Sequence, residues 1–532
     1  MHHRIGEALE DLCDGRPDAR VGDLARHWFS ATVNKDLTKA LDYSRMAADS
    51  ALADLAPGDA LRYYQQALDL YAQVIDPDPA LGIDLAIGLG TAQRQTGEPA
   101  YRETLLGAAH KADAVGDMQR LVTAALANDR GFFSSLGVVD AERVAVLEQA
   151  LKRISDDDAR RSLLLSNLCK ELAFGSSLER RSALADEAIA LARSSGDDAS
   201  LVRVLVHVAV PLLVPELIDQ SVARSQELIA ISERLAEPQL RFWAATIRGL
   251  VAASAGDVDE FDRCFEISDV LAAQLNQPTM SWLNTLSHTT RALLAGDTDT
   301  AELLATEALQ IGIDGVADAE AGFGSQFMSV SFQRGNMGDL ASLIEESATS
   351  ITGVPAFFGA LALAHAEAGR IAEARTCLEA LEANQFRLPM DAMWTTGLTC
   401  YAEAAIECGD PRFAEPIFEL LVPVVDQMSY SVATVEGPVS HFVGGLATVL
   451  GRHADAEVRF AQAAAYSERM GATFFAARTN LSWGRMLVER NRPADRDEGM
   501  RLLKKALASA TANGYGTVER RAAAALANQD GP

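Results

Sequence analysis

The chain has 532 residues, of which 48% are hydrophobic and 23% are charged. This composition supplies a large buried core and excludes the disordered and fibrous classes of protein. The formal net charge of −27 comes from 74 acidic and 47 basic residues. Because such a surface repels polyanions, we expect no direct binding to nucleic acid.

The first residues, Met1 to Arg4, begin an amphipathic run and not a signal peptide. Six cysteines are scattered without zinc-ligand spacing, which indicates buried free thiols and predicts a cytoplasmic protein. The most apolar stretch, LVRVLVHVAVPLLVPELI at residues 201–218, is interrupted by charged residues and two prolines. It is too polar to span a bilayer. We interpret it as a buried helix that ends near Pro211, with a substrate-lined bend as the alternative.

Turn signals recur along the chain about every 40 residues, which predicts a repeat protein. They fall at Gly58, Gly97, Gly137, Gly175, Pro215, Gly256, Gly296, Gly335, Gly369, Gly409, Gly451 and Ala494. From Gly256 onward, the positions five, nine and twelve residues after each glycine are mostly apolar and share one helical stripe. Small residues dominate seven places before the glycine, which lets the two helices of a hairpin approach closely.

The turn AGDTDTAE around Gly296 illustrates the predicted punctuation. Gly296 is expected to close one helix in the left-handed conformation, and Asp297 or Thr298 to cap the next helix. A phosphate-binding loop would need the pattern GxxxxGK[ST], which the chain does not contain. We therefore expect neither binding nor hydrolysis of ATP.

Several segments carry a resemblance to a known family. The runs AEAGRIAEAR at 366–375 and LGRHADAEVRFAQA at 450–463 resemble tetratricopeptide (TPR) hairpins. Six further segments are similar to the C-terminal helical-repeat region of large actinobacterial signalling ATPases of the AAA/STAND type. These segments are RIGEALEDL at 4–12, LANDRGFF at 126–133, DAERVAVLEQAL at 140–151, LRFWAA at 240–245, GDPRFAEPIFELLVP at 409–423 and ERMGA at 468–472.

In that family the repeats are joined to an ATPase and often to a LuxR-type DNA-binding domain or an adenylate or guanylate cyclase. This sequence shows none of those three modules. The resemblance therefore implies only the sensor and interaction arm, as a truncated product, a split partner or a stand-alone protein. It implies linker helices over residues 1–35, a TPR-like solenoid of about twelve hairpins over 36–513, and a capping helix with a tail over 514–532.

Motifs for catalysis are weak or missing. GLGTAQ at 88–93 matches a dinucleotide loop for only three residues and continues a helix, while HExxH and GxSxG do not occur. Cys400 and Cys408 are more simply buried thiols than metal ligands. The sequence thus predicts no cofactor, no metal and no enzymatic activity.

Four tryptophans, Trp243, Trp282, Trp394 and Trp483, are expected to lie near the start of the first helices of their hairpins. We interpret them as stacking between hairpins, with an aromatic ligand cage as the alternative. In TPR arrays the first helices line the concave face. The resemblance then points six side chains toward a partner: Asn128, Trp243, Thr290, Gln326, Glu403 and His441.

The predicted function is a non-enzymatic sensor and protein-interaction solenoid. It would bind a protein, a peptide or a small effector and signal to an ATPase or a transcriptional regulator. The first alternative is an all-α toroid enzyme, such as a carbohydrate-active hydrolase, which needs two opposed carboxylates. Glu403 and Glu407 share a helix face but have no evident opposed partner. The second alternative is a DNA-binding regulator, which the acidic charge opposes.

Overall fold

A computed structural model describes residues 1–13, 20–31, 37–131, 135–313, 316, 318–351 and 353–528. Within these ranges the chain forms 27 α-helices and one short β-hairpin. The prediction of an all-α, TPR-like solenoid is confirmed.

The helices of the first half begin and end as follows: α1 His2–Cys13, α2 Val21–Ser30, α3 Leu37–Ala53, α4 Pro57–Tyr71, α5 Pro79–Thr96, α6 Tyr101–Ala114, α7 Met118–Ala127, α8 Ala141–Arg153, α9 Arg161–Glu171, α10 Leu178–Ser195, α11 Asp198–Ala209, α12 Ile218–Leu235, α13 Pro238–Ala255 and α14 Val258–Leu275.

The elements of the second half are α15 Pro278–Ala295, α16 Thr298–Gly312, α17 Ala319–Arg334, α18 Ala341–Ser350, α19 Ala356–Glu367, α20 Ile371–Ala383, α21 Trp394–Cys408, α22 Pro411–Leu421, β1 Met428–Tyr430, β2 Val435–Pro438, α23 Val439–Val449, α24 His453–Arg469, α25 Thr473–Arg490, α26 Asp495–Asn513 and α27 Gly516–Ala527.

Successive helices from α3 to α26 form twelve hairpins in the described part of the chain. We number these hairpins 1 (α3–α4) to 12 (α25–α26). The odd-numbered helices are the first helices, and nearly all neighbouring first helices contact one another along one side of the array. Contacts between sequence neighbours are the organising feature of a solenoid.

The glycine at position 296 ends its helix as the sequence predicts. Gly296 has φ +82° and closes α15, and the Asp297 carboxylate accepts a hydrogen bond from the Thr300 amide at the start of α16. All other turn glycines from Gly256 to Gly451 also have positive φ. Three earlier signals behave differently: Gly58 lies inside the first turn of α4, Gly175 follows α9 without positive φ, and Pro215 begins a single 3-10 turn.

The stripe of apolar residues after each glycine is buried as expected, except for Leu340, Ser347 and Phe418, which are half-buried. Small residues in the first helix do allow close packing. A Cβ built on Gly444 would lie 2.8 Å from the Phe460 ring, so a larger residue would push α23 and α24 apart.

The solenoid coils so tightly that hairpins five apart touch. Tyr466 of α24 donates to the Ala255 carbonyl at 3.3 Å, and Thr473 of α25 donates to the Ala295 carbonyl at 2.6 Å. Tyr515, just before α27, donates to the Gly296 carbonyl at 3.2 Å. We call these three bonds the inter-turn contacts, because each joins one superhelical turn to the next.

The β-hairpin fills the inside of the superhelix. β1 and β2 are antiparallel, and every residue of both strands is buried. They pack against α13, α15, α21, α23 and α24. One hydrophobic cluster accordingly runs from α9 through the hairpin to α27. The sequence pattern does not predict this hairpin, which interrupts the helical repeat between α22 and α23.

Candidate functional site

A pocket of about 270 Å³ opens on the inner side of hairpins 2 to 7. We call it the inner pocket. Its wall comes from the end of α5, the loop after α7, α11, and the first turns of α13 and α15. The residues that line it include Arg94, Asp129, Arg130, Arg203, His207, Leu240, Trp243, Met280, Trp282 and Asp318.

The loop after α7 is fixed by buried charges. Asp129 accepts hydrogen bonds from the ammonium of Lys170, which is fully buried, and from the Gly131 amide at 3.0 Å. Its second oxygen lies 2.9 Å from His207 Nε2. Burial alone would raise the pKa of Asp129, but Lys170 and His207 hold it well below its usual value. Asp129 is therefore an anion already neutralised by protein groups.

His207 bridges this loop to the core. Its Nδ1 lies 3.0 Å from the hydroxyl of Ser166, which gives a serine–histidine–aspartate chain with Asp129. Burial, together with Lys170, lowers the pKa of His207. The chain is not arranged for nucleophilic attack, because Ser166 has no exposed surface and its hydroxyl also contacts the Leu163 carbonyl. It orients the loop that carries Asp129.

Three guanidinium groups surround the pocket. Arg94 donates to the Asp129 carbonyl at 3.3 Å, and its Nε has no hydrogen-bond partner among the described residues. Arg130 pairs with Asp140 at 2.9 Å. Arg203 is exposed and has neither an ion pair nor a hydrogen-bond partner in the described part of the chain. The pocket therefore has one exposed guanidinium group, that of Arg203, without an ion pair in the described part of this acidic protein.

The other wall is apolar and aromatic. Trp243 is half-buried and lies edge-on to Phe242, with ring centroids 5.3 Å apart. A Cβ built on Gly131 would lie 3.5 Å from the Trp243 ring, so the loop after α7 passes close to it. Trp282 is 3% exposed, and its indole N–H has no acceptor among the described residues. These rings provide apolar and aromatic surface for the pocket.

A second polar group lies far from the pocket, where α19, α21, α25 and α27 meet. Glu403 is 2.9 Å from Arg478, and Arg521 is 2.9 Å from Glu407 and 3.5 Å from Glu367. We call these five residues the C-terminal ion cluster. Burial would raise the pKa of Glu403, but Arg478 and then His441 hold it well below the usual value. The cluster joins the last helix to hairpins 9, 10 and 12.

The structure does not bring the six residues of the predicted face together. Trp243 lines the inner pocket. Glu403 belongs to the C-terminal ion cluster, and its Oε2 lies 3.8 Å from Nε2 of His441. Gln326 is fully buried and donates to the Leu286 carbonyl at 2.8 Å, while the Thr290 hydroxyl donates to the same carbonyl at 3.1 Å. Asn128 is 8% exposed, and its amide lies 3.5 Å from the Arg102 carbonyl. Contact of these side chains with a partner stays a prediction.

Sequence reasoning overlooked Arg94, Asp129, Arg203 and His207 as pocket residues. A signal for two of them existed, since Arg203 and His207 are the polar residues in the apolar stretch at 201–210. That stretch is α11, which ends at Ala209 before Pro211 as expected. A polar residue inside such a helix needs a partner or a solvent-filled space.

In the described residues, no helix combines the length and apolarity needed to cross a membrane. The same residues contain no group of three or more His, Cys, Asp or Glu side chains that could hold a metal ion.

The chain was also compared with known proteins. No protein-family model matches it, and no curated protein matches it. Solved structures that are similar include the crystal structure of the APC/C hetero-tetramer Cut9-Hcn1, with a TM-score of 0.42 and 13% identity. That match covers 92% of this chain and 91% of the other. The fold assignment rests on the helices of this chain itself.

Proposed function

We propose that this protein is a non-enzymatic, cytoplasmic sensor and interaction solenoid that signals to an ATPase or to a transcriptional regulator. One observation carries the proposal. The inner pocket is lined by the exposed Arg203, which has no ion pair within the described residues, and by the half-buried Trp243, a combination that structural packing alone does not require. The resemblance of six segments to the repeat arm of signalling ATPases supports the choice of partner.

Within this proposal, residues 36–513 form the sensor, residues 1–35 link it to its partner, and residues 514–532 cap it. The boundary at residues 35 and 36 and the last four residues lie outside the described ranges. Trp243 is the member of the predicted face that lines the inner pocket, and we assign it the effector contact.

The enzyme alternative draws no support from the predicted carboxylate. Glu403 is 5% exposed and is paired with Arg478, so it faces a guanidinium and not a cavity open to a sugar. The DNA-binding alternative is opposed by the net charge of −27.

The test compares two tryptophans of first helices. The tagged full-length chain is purified from its own cells, and co-purifying proteins are quantified by mass spectrometry. We expect a signalling ATPase or a DNA-binding regulator with the wild-type chain and with Trp483→Ala, whose half-buried ring lies outside the inner pocket. Trp243→Ala should reduce recovery about tenfold.

Melting curves are needed for both variants, since truncating a buried tryptophan costs about 3 to 5 kcal/mol and imitates a binding defect. Equal recovery of the co-purifying partner with both variants would show that the inner pocket takes no part in the interaction. A metabolic reaction that Glu403→Gln abolishes in a folded chain would instead favour the toroid enzyme.

A further inference from the structure

We infer that the inner pocket binds a small planar organic anion, namely an aromatic ring that bears one carboxylate or phosphate group. This inference rests on the proposed function, because it names the ligand of the same pocket.

The preference for an anion follows from which charges are already neutralised. Asp129 is fully engaged by Lys170, His207 and the Gly131 amide. The other carboxyl group, Asp318, is half-buried and accepts the Leu136 amide at 3.3 Å. Burial raises the pKa of Asp318. Neither carboxyl group therefore provides an unpaired negative charge that would attract a cationic ligand.

By contrast, the pocket contains a cationic side chain that no described acid neutralises through an ion pair. Arg203 is exposed at the pocket and forms neither an ion pair nor a hydrogen bond with the described residues, although its charge helps to lower the pKa of Asp197. A guanidinium recognises a carboxylate or a phosphate with two parallel hydrogen bonds. Arg203 therefore supplies the charge that a ligand anion would pair with.

The requirement for a ring comes from the opposite wall. Leu240, Trp243, Met280 and Trp282 present apolar and aromatic surface to the same space. An aromatic ring stacked on tryptophan gains more than its buried area alone provides.

Size limits the ligand to one or two fused rings. The volume of about 270 Å³ lies just below the usual range of about 300 to 1,000 Å³ for ligand pockets. A folded peptide segment would not fit into it. The ligand is therefore a small molecule held between the charge of Arg203 and the ring of Trp243.

The experiment uses the full chain and a matched set of small molecules in calorimetry. Indole-3-acetate and 1-naphthyl phosphate carry a ring and an anion, and separate a carboxylate from a phosphate. Indole-3-acetamide has the ring without charge, tryptamine has a cation, and acetate and inorganic phosphate have no ring. At least one ring-bearing anion should bind below about 1 mM, and its uncharged, cationic and ringless relatives should bind about tenfold more weakly.

Arg203→Gln should weaken binding of the ring-bearing anion about fivefold or more and leave binding of the amide unchanged. Arg387→Gln is the matched control, because Arg387 is exposed and lies outside the inner pocket. Trp243→Leu should weaken acid and amide alike, with melting curves to show that the fold is retained. The inference is overturned if no ring-bearing anion binds, if acid and amide bind equally, or if Arg203→Gln behaves as Arg387→Gln does.

The two proposals fail in different ways. Anion binding without any co-purifying ATPase or regulator would leave the ligand class standing and remove the signalling role. Recovery of such a partner, with no molecule of the set bound, would overturn the ligand class alone.

Discussion

At the scale of single residues, the helix-closing glycines fall into two groups. Gly296 and Gly451 both have positive φ, at +82° and +71°. A Cβ on Gly296 would lie 2.1 Å from the hydroxyl of Tyr515, whereas a Cβ on Gly451 would meet nothing within 4 Å. Gly296 therefore has two reasons to be glycine, and Gly451 has one.

Substituting alanine separates these two reasons. Gly451→Ala should lower the free energy of unfolding by about 1 kcal/mol, the cost of a left-handed alanine. Gly296→Ala should cost about 1 to 3 kcal/mol more, since Tyr515 must also move. Urea unfolding of both variants measures the difference. Equal losses would show that the contact with Tyr515 contributes nothing.

Glu436 is a buried carboxyl group whose protonation should make stability depend on pH. It accepts hydrogen bonds of 3.1 Å from the hydroxyls of Thr396 and Ser429, and burial raises its pKa from 4.5 to about 7. The folded chain keeps this proton where the unfolded chain has lost it. The resulting stability is full below pH 4.5 and is lost as the pH rises through about 7.

Glu436→Gln should remove this pH dependence, because a glutamine amide keeps the two acceptor bonds without titrating. The stability of the wild type relative to Glu436→Gln should fall by up to about 1.4 kcal/mol per pH unit between about pH 5 and 7. Urea unfolding of both chains across this range checks it. A constant difference would mean that Glu436 titrates normally.

At the scale of helices, the hairpins were predictable because their information is local. The left-handed turn at Gly296, its Asp297 cap and the buried stripe after each glycine all depend on residues within about one helix length. The β-hairpin was not predictable in this way, since its burial depends on α13 and α15, far away in sequence. The burial of Thr290 and Gln326 has the same origin.

The inner pocket shows the same limit. Arg203 and His207 belong to one helix, and sequence alone marks them as polar residues in an apolar run. Asp129 and Trp243, which line the same pocket, belong to other hairpins. Only the curvature of the array brings these four residues together. Curvature is the sum of small rotations between hairpins, which a single sequence pattern does not fix.

Helix α27 is held by Arg521 of the C-terminal ion cluster. Replacing this arginine should lower the stability of the protein markedly. Arg521 is 21% exposed and lies against Glu407 and Glu367. Arg521→Met leaves Glu367 without its ion-pair partner and leaves Glu407 with Arg485 alone, at 3.7 Å, and should cost about 3 to 5 kcal/mol. Arg501→Met, which breaks the exposed pair with Glu498, should cost less than about 1 kcal/mol.

Chemical unfolding of both variants gives the comparison. Adding Glu367→Gln to Arg521→Met should recover part of the loss, because the buried carboxylate that has lost its partner is replaced by a neutral amide. A double variant as unstable as the single one would contradict an electrostatic origin and point to lost packing of the arginine stem.

At the scale of the whole molecule, the inter-turn contacts change how the solenoid is stabilised. In an open array each hairpin contacts only its neighbours, so the loss of a terminal hairpin affects only the adjacent one. Here α25 packs on α15, and α27 packs on α17. The C-terminal hairpin therefore also supports hairpins 7 and 8, about two hundred residues earlier in the chain.

Hydrogen exchange can detect this long-range support. A chain that ends at residue 471 lacks hairpin 12 and α27, and we expect faster amide exchange in α15 and α17 as well as in α24. A chain that begins at residue 78 lacks α1 to α4, and should change exchange chiefly in the adjacent hairpin of α5 and α6. Tyr515→Phe tests the contact without a truncation, because it removes only the hydroxyl that reaches the Gly296 carbonyl. It should speed exchange at the end of α15 and leave α5 unchanged. If the C-terminal truncation affects α24 alone and Tyr515→Phe has no effect on α15, the protein behaves as an open array and the inter-turn contacts do not stabilise it.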